Sequence, residues 1–260
     1  MADQATIERG AELLRLHRDP KLLTLVNVWD VVSATTVAVV EGTTALATAS
    51  HSIAASYGYP DGENIPLDLM LEAVGRIVTA TDLPVTADLE GGYGDPAGTI
   101  RRAIGLGVVG ANIEDQLRPV KEAAADVEKI MKVAELEGVD FVLNARTDAF
   151  HLGRDRGPES NLADAIERGK AYLDAGAPVV FVPARLDEEQ VATLVDAFGP
   201  QRLTLIGIPG SPSLARLEEL GVARVSYGPM AQNVALTALQ ELAEDVQRGG
   251  GVPPTMRILN

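Results

Sequence analysis

Asp88 and Glu90 stand two residues apart at the end of an apolar run, Pro84–Glu90, and the glycines Gly91, Gly92 and Gly94 follow at once. Side chains two apart on a strand share a side, so the spacing predicts two carboxylates on one face. Glycines directly beyond them suit close approach by a ligand. Other apolar runs end in the same way: Gly110–Asp115 in Glu114 and Asp115, Phe141–Asp148 in Arg146 and Asp148, and Leu22–Asp30 in Asp30. The polar, turn-rich segment Tyr57–Pro66 adds Asp61. Carboxylates gathered this densely repel one another unless a cation lies among them. With no cysteine and only three histidines in the chain, oxygen donors point to a hard ion, Mg²⁺ or Mn²⁺. The competing role for a strand-end acid is to cap the next helix, and Asp30, Asp115 and Asp148 suit that role equally well. Asp88 and Glu90 suit it less, because the helix after them has its own cap in Asp95-Pro96.

Arg146 is the basic residue inside these strand-end stretches, and a partly buried guanidinium needs an anion. Asp148 or Glu114 would make a structural ion pair; a substrate carboxylate would be held by the planar fork. The two uses can coexist. His51 follows Ser50 at the end of the run Ala45–Ser50 and reads first as a hydrogen-bonded loop residue. Trp29 reads as packing or as one wall of a site.

To place such residues on one rim, the chain needs a scaffold that repeats. Eight short apolar runs alternate with amphipathic segments: Leu22–Asp30, Ala45–Ser50, Pro84–Glu90, Gly110–Asp115, Phe141–Asp148, Pro178–Pro183, Arg202–Pro209 and Arg224–Pro229. Several are unbroken Val/Leu/Ile/Ala stretches, the pattern of parallel strands buried on both faces. Between them, Leu67, Leu71, Val74 and Val78 form one helical stripe, and Leu162, Ile166 and Leu173 another. Gly42, Gly107, Gly138, Gly176 and Gly221 stand where helices should end. The expected fold is α/β, a single (β/α)8 TIM barrel domain over residues 1–260. An open doubly wound sheet is the rival, but the first strand ends in Asn27-Val28-Trp29-Asp30 with no glycine-rich turn. Tyr57–Pro66 and Ala149–Asn161 become long loops on the C-terminal face, where barrel active sites lie.

The net charge of −15 would repel a phosphate backbone, which argues against nucleic acid and anionic membranes as partners. The opening MADQATIERG has no apolar core of a secretory signal, and no apolar run reaches membrane-spanning length, so a cytoplasmic protein is expected.

The motifs ATASHS, ADLEGGYGD, NIEDQ and NARTDAF, in this order at successive strand ends, resemble the isocitrate lyase/phosphoenolpyruvate mutase superfamily. The similarity runs from about Leu25 to Gly228. VNVWD, FVP, PGSPSL and GVARVSYGP look most like its short bacterial branch, which is similar to proteins that bind 2-oxo acids. The resemblance implies that Asp88 ligates Mg²⁺ directly, that Glu90 stands where many members have a second Asp, and that Asp61 and Glu114 reach the ion through water. It implies that Arg146 holds the substrate's anionic end, and that Ser50, with the backbone amides of His51 and Ser52, binds its carboxylate. It also implies a homodimer or homotetramer in which the last helix, residues 230–248, is exchanged between subunits. That helix carries Val234, Leu236, Leu239, Leu242 and Val246, more apolar surface than one side of a barrel requires.

Departures from the family pattern narrow the chemistry. The lyases use a KRCGH-type loop whose Cys is the acid, and this chain has no Cys. Where they place a Glu after the sixth strand, Phe181-Val182-Pro183 is followed by Ala184-Arg185. The gating loop of the phosphomutases is reduced to Asp115–Pro119, which makes Lys121 a first-turn helix residue. The resulting expectation is a Mg-dependent lyase acting on a small 2-oxo or 2-hydroxy (di)carboxylic acid through an enolate, by C–C cleavage or decarboxylation. His51, Tyr93 and water are the candidate proton donors. The alternatives are a phosphonopyruvate-type mutase or hydrolase, a 2-oxo acid binding protein without catalysis, and a phosphate site built from Gly207–Pro212 and Ser226-Tyr227-Gly228.

Overall fold

The computed structural model describes residues 1–259. Its elements run α1 (Gln4–Arg18), β1 (Leu23–Leu25), β2 (Asn27–Val28), α2 (Val31–Ala38), β3 (Leu46–Thr48), α3 (Ser50–Ser56), α4 (Leu67–Thr79), β4 (Val85–Asp88), α5 (Pro96–Gly105), β5 (Gly110–Glu114), α6 (Val120–Glu137), β6 (Val142–Arg146), α7 (Pro158–Asp174), β7 (Val179–Val182), α8 (Glu188–Phe198), β8 (Leu203–Ile206), α9 (Leu214–Glu219), β9 (Arg224–Ser226) and α10 (Met230–Gln247). All strand pairs are parallel, and their order is β1-β9-β8-β7-β6-β5-β4-β3-β2. The eight expected runs all form strands, the first split in two at Val26, which is 44% exposed. β1 pairs with β9 and β2 with β3, so this one kinked run closes the (β/α)8 barrel. Asn27 fastens the closure: its Oδ1 accepts from the Tyr227 and Gly228 amides at 2.7 and 2.8 Å, and its Nδ2 donates to the Thr48 carbonyl at 2.8 Å.

Helix α1, which the strand–helix count does not require, seals the N-terminal end of the barrel. Asp3 caps it, and Leu13 is fully buried against Gly110, where a Cβ would come within 2.8 Å of the leucine. The stripe on α4 packs inward as expected, with Leu71, Val74 and Val78 buried beside Met70 and Ile77. On α7 the deep face is instead Ala165, Arg168, Gly169 and Tyr172, while Leu162, Ile166 and Leu173 flank it. The turn is set by polar pairing, described below, that overrides the apolar stripe. The five glycines expected at helix ends all have φ between +75° and +103°. Asp30 caps α2 in a reciprocal capping box with Ser33. No helix among the described residues is long and apolar enough to cross a membrane.

Helix α10 leaves the barrel. Gln232 is its one buried residue, and Val234, Leu236 and Leu239 are 71%, 53% and 60% exposed.

Candidate active site at the C-terminal rim

β4, β5 and β6 lie side by side, and their ends bring the predicted residues together. Asp88 is opposite Asn112 and Glu114 is opposite Arg146 in the strand register. Arg146 donates from Nη1 to Glu114 Oε2 at 2.8 Å, and from Nη2 and Nε to Asp148 Oδ1 at 2.7 and 2.9 Å. Both internal partners weighed for Arg146 are therefore engaged at once. One guanidinium serves two carboxylates, Asp148 fully buried and Glu114 partly exposed. Burial, opposed by Arg146, pushes Glu114 up to about 8, with Asp148, Asp88 and Glu90 adding repulsion. Burial also raises Asp148.

Asp88 is held from two sides. Ser50 donates its backbone N–H and its hydroxyl to Oδ2 at 3.1 and 2.8 Å, and Asn112 Nδ2 approaches Oδ1 at 3.3 Å. Ser50 is the first residue of α3, whose preceding residue, Ala49, offers no side-chain cap, so its orphan amide turns to Asp88.

Glu90 reaches the same group by a route other than strand alternation. β4 ends at Asp88, and Glu90 lies in the following turn with φ +53°. Gly92 makes that turn possible: at φ +90° its hydrogen faces Pro96, and a Cβ would meet Pro96 Cα at 2.6 Å. Glu90 is 4% exposed, and its Oε2 accepts from the Glu63 amide. Glu63 in turn accepts from the Tyr93 amide at 2.6 Å, so the Tyr57–Pro66 loop is clasped to the turn after β4. Burial, with repulsion from Asp61, Asp88 and Glu63, pushes Glu90 up to about 7. The Tyr93 hydroxyl donates to Glu90 Oε1 at 3.4 Å, and burial drives its pKa upward, so the phenol keeps its proton. Glu63, Glu90, Tyr93, Gln116 and Leu117 all have positive φ, a concentration of strained backbone typical of functional rims.

Several expectations need correction. Asp115 and Asp148 cap no helix. Asp115 is buried and accepts from Tyr172 OH at 2.6 Å, Leu117 N–H at 2.9 Å, Asp148 N–H at 3.0 Å and Arg168 Nη1 at 3.1 Å. Four donors are more than a cap position supplies, and this hub is what turns α7 toward the barrel. His51, expected in a loop, lies with Ser50 and Ser52 in the first turn of α3; Ser52 is fully buried, and its carbonyl accepts from Gln232 of α10 at 3.1 Å. His51 is exposed. Trp29 lines an apolar groove of about 580 Å³ with Val32, Val37, Tyr227, Met230 and Val234, and none of the rim acids lines that groove. Asp61 is exposed, close enough to raise Glu90 by its charge. The Gly207–Pro212 segment borders another apolar groove; the Gly207 amide is spent on the Ser226 carbonyl, and the Tyr227 and Gly228 amides on Asn27 Oδ1. Lys121, as expected, is in the first turn of α6.

Among the described residues, no three acidic or histidine side chains are arranged to hold a metal ion together. The donor chemistry nevertheless fits a hard divalent cation. Asp88, Glu90 and Glu114 are oxygen donors; burial raises Glu90 and Glu114 most, and the neighbouring carboxylates add to it by repulsion. Asp88 would hold the ion directly, with Glu90, Glu114 and Asp61 around it.

Fold and rim define a parallel α/β barrel with an acidic face at the C-terminal ends of its strands. The chain belongs to the family of phosphoenolpyruvate phosphomutase, whose model matches residues 13–247, and with it to the isocitrate lyase/phosphoenolpyruvate mutase superfamily of enzymes. An uncharacterized protein of Mycobacterium tuberculosis is 32% identical over 240 residues, covering 92% of this chain and 90% of its own. The 2-methylisocitrate lyase of Shewanella oneidensis is 33% identical over 74% of this chain and 70% of its own. The structure of oxaloacetate acetylhydrolase in complex with the product oxalate superposes with a TM-score of 0.85 at 27% identity, over 96% of this chain and 91% of that one.

Proposed function

We propose that this protein is a Mg²⁺-dependent lyase for a small 2-oxo or 2-hydroxy carboxylate, cleaving a C–C bond or releasing CO₂ through a pyruvate-type enolate. The observation that carries the proposal is the meeting of Asp88, Glu90 and Glu114, which repel one another, beside Arg146. That arrangement has use for a cation and for an anionic ligand at the same point. Kinship with a 2-methylisocitrate lyase and an oxaloacetate hydrolase supports a small carboxylic acid as substrate. A divalent cation at Asp88 would supply a Lewis acid for charge developing on the substrate's 2-oxo oxygen. The chain's own residues do the rest. Ser50 and Asn112 fix the Asp88 carboxylate. Arg146, one-sixth exposed and already carrying two carboxylates, offers a fixed positive charge to the substrate's anionic end. The Tyr93 hydroxyl, which burial keeps protonated, can return a proton to the enolate carbon.

A binding protein without catalysis is the second reading, favoured by the short Asp115–Pro119 connection, which leaves the barrel mouth open to water. A panel of 2-oxo and 2-hydroxy acids, with and without Mg²⁺ and followed by pyruvate or CO₂ release, separates the two. Binding without turnover of any member would sink the lyase reading. We also propose that α10 docks on a second copy of the chain, in a homodimer or homotetramer working in the cytoplasm.

A further inference from the structure

Beneath Asp88 the barrel core is not uniformly apolar. Thr204 Oγ1 contacts Asn144 Oδ1 at 2.6 Å, Asn144 Nδ2 contacts Asn112 Oδ1 at 2.7 Å, and Asn112 Nδ2 contacts Asp88 Oδ1 at 3.3 Å. The three residues below Asp88 are 0%, 0% and 6% exposed, so water does not compete for these groups. They come from β8, β6 and β5, strands distant in sequence, yet they form one chain that ends on the rim acid. Its direction is forced. A carboxylate can only accept, so Asn112 must present its NH₂ to Asp88 and its oxygen to Asn144. Asn144 must then present its NH₂ to Asn112 and its oxygen to Thr204, whose hydroxyl must donate. Every dipole in the chain points its positive end toward Asp88.

We propose that Thr204, Asn144 and Asn112 are positioning residues for Asp88. They form a one-way hydrogen-bonded chain through the barrel core that fixes which carboxylate oxygen faces inward and favours its negative charge. The inner oxygen, Oδ1, is thereby engaged from below, and the Ser50 pair engages Oδ2 from the side. Where this bears on cation binding, it rests on the metal reading above; the chain itself does not. The polarity also explains a threonine at the far end. Its hydroxyl lies 3.3 Å from the Val180 carbonyl, a second acceptor it would satisfy if Asp88 did not dictate the direction.

The test is a double-mutant cycle in metal-free protein with EDTA present, read by denaturant unfolding. Thr204→Val leaves Asn144 Oδ1 unmatched and should lower the folding equilibrium constant about 10-fold. In the Asp88→Asn background, residue 88 can donate as well as accept, the chain can reverse, and Asn144 can turn its NH₂ toward the Val180 carbonyl. There the same substitution should cost less than about 3-fold. Thr204→Ser should match the parent protein. Thr204 and Asp88 do not touch, so independent contacts would give additive effects, and additivity within about 2-fold overturns the proposal. Should the double variant not fold, side-chain amide spectra of ¹⁵N-labelled Thr204→Val protein decide. The Asn112 NH₂ signals should move from their parent positions, and unmoved signals overturn the proposal. Calorimetric titration with MgCl₂ reads the consequence at the rim: several-fold weaker binding by Thr204→Val and parent-like binding by Thr204→Ser. A parent protein that binds no Mg²⁺ would count against the metal reading alone, since the cycle is measured without metal.

Discussion

Ser50 spends both of its donors, the backbone N–H at 3.1 Å and the hydroxyl at 2.8 Å, on a single oxygen of Asp88. A rim acid is thus tied to the first turn of a helix that begins where β3 ends, and the position of the carboxylate depends on that helix as much as on its own strand.

Removing the tie should therefore be felt in cation binding. Ser50→Ala should weaken Mg²⁺ binding about 5- to 10-fold, the net worth of one ordinary hydrogen bond, with the melting temperature little changed. Asp88→Asn should abolish turnover and Mg²⁺ binding while leaving the fold intact, because it relieves a charge cluster. Calorimetry and thermal melts check both; full turnover by Asp88→Asn, or an unchanged rate after EDTA, would falsify the metal reading.

Arg146 is shared by Glu114 and Asp148, and its loss would strand two buried carboxylates. Arg146→Ala should destabilise the protein by roughly 3–5 kcal/mol. It should also weaken oxaloacetate, 2-oxoglutarate and pyruvate together. In the parent protein these ligands should differ by less than about 10-fold, since one contact at the open end is worth about 1 kcal/mol. One tight ligand with its close analogues rejected would show that the Tyr57–Pro66 or Ala149–Asn161 segment closes the mouth.

The rim acids make stability depend on pH. Glu90 and Glu114 are raised from 4.5 to about 7 and about 8 in the folded chain. The folded state then binds more protons than the unfolded state, so metal-free stability should fall as pH rises from about 4.5 through 8. Deprotonation also prepares the ligands, so added Mg²⁺ should raise the melting temperature more at pH 8.5 than at pH 6. His17 works in the opposite sense. Buried beneath the barrel and lowered from 6.5 to about 3, it withdraws stability as pH falls below about 6.5. Melts across pH with and without Mg²⁺ separate the two; a Mg²⁺ stabilisation independent of pH would contradict the assignment of Glu90 and Glu114.

The exposed face of α10 predicts self-association. Light scattering should give a dimer or tetramer at micromolar concentration, and Leu236→Glu with Leu239→Glu should yield a smaller species. A monomeric parent protein would mean that the helix packs in some other way.

The barrel, the rim and the acid cluster were legible in the chain because parallel strands buried on both faces write unbroken apolar runs, and their ends stand out as acids. Two things were hidden. The alternation that turns Glu114 and Arg146 inward also turns Asn112 and Asn144 inward, but amides in a core carry no charge to draw attention. Glu90 and Glu63 depend on left-handed backbone in two separate loops, which spacing on a strand cannot express. Trp29 and Ser52 stand in the same motif segments as the rim residues, yet Trp29 lines a groove beside α10 and the Ser52 carbonyl accepts from Gln232 of α10, because the chain turns into a helix directly after each strand.

The division of the first strand at Val26 also governs the order in which the molecule can be completed. β1 has one partner, β9, some 200 positions along the chain, and Asn27 grips the amides of Tyr227 and Gly228. Until those residues have left the ribosome, the sheet can grow from β2 through β8 with the acid rim assembled along its edge, but it stays an open ribbon. Joining such distant segments carries the largest loop-closure entropy in the chain, so ring closure should be the slow, last step of folding. A nascent chain arrested before residue 224 would expose an unpaired β8 beside a loose N-terminal strand, the species most in need of a chaperone.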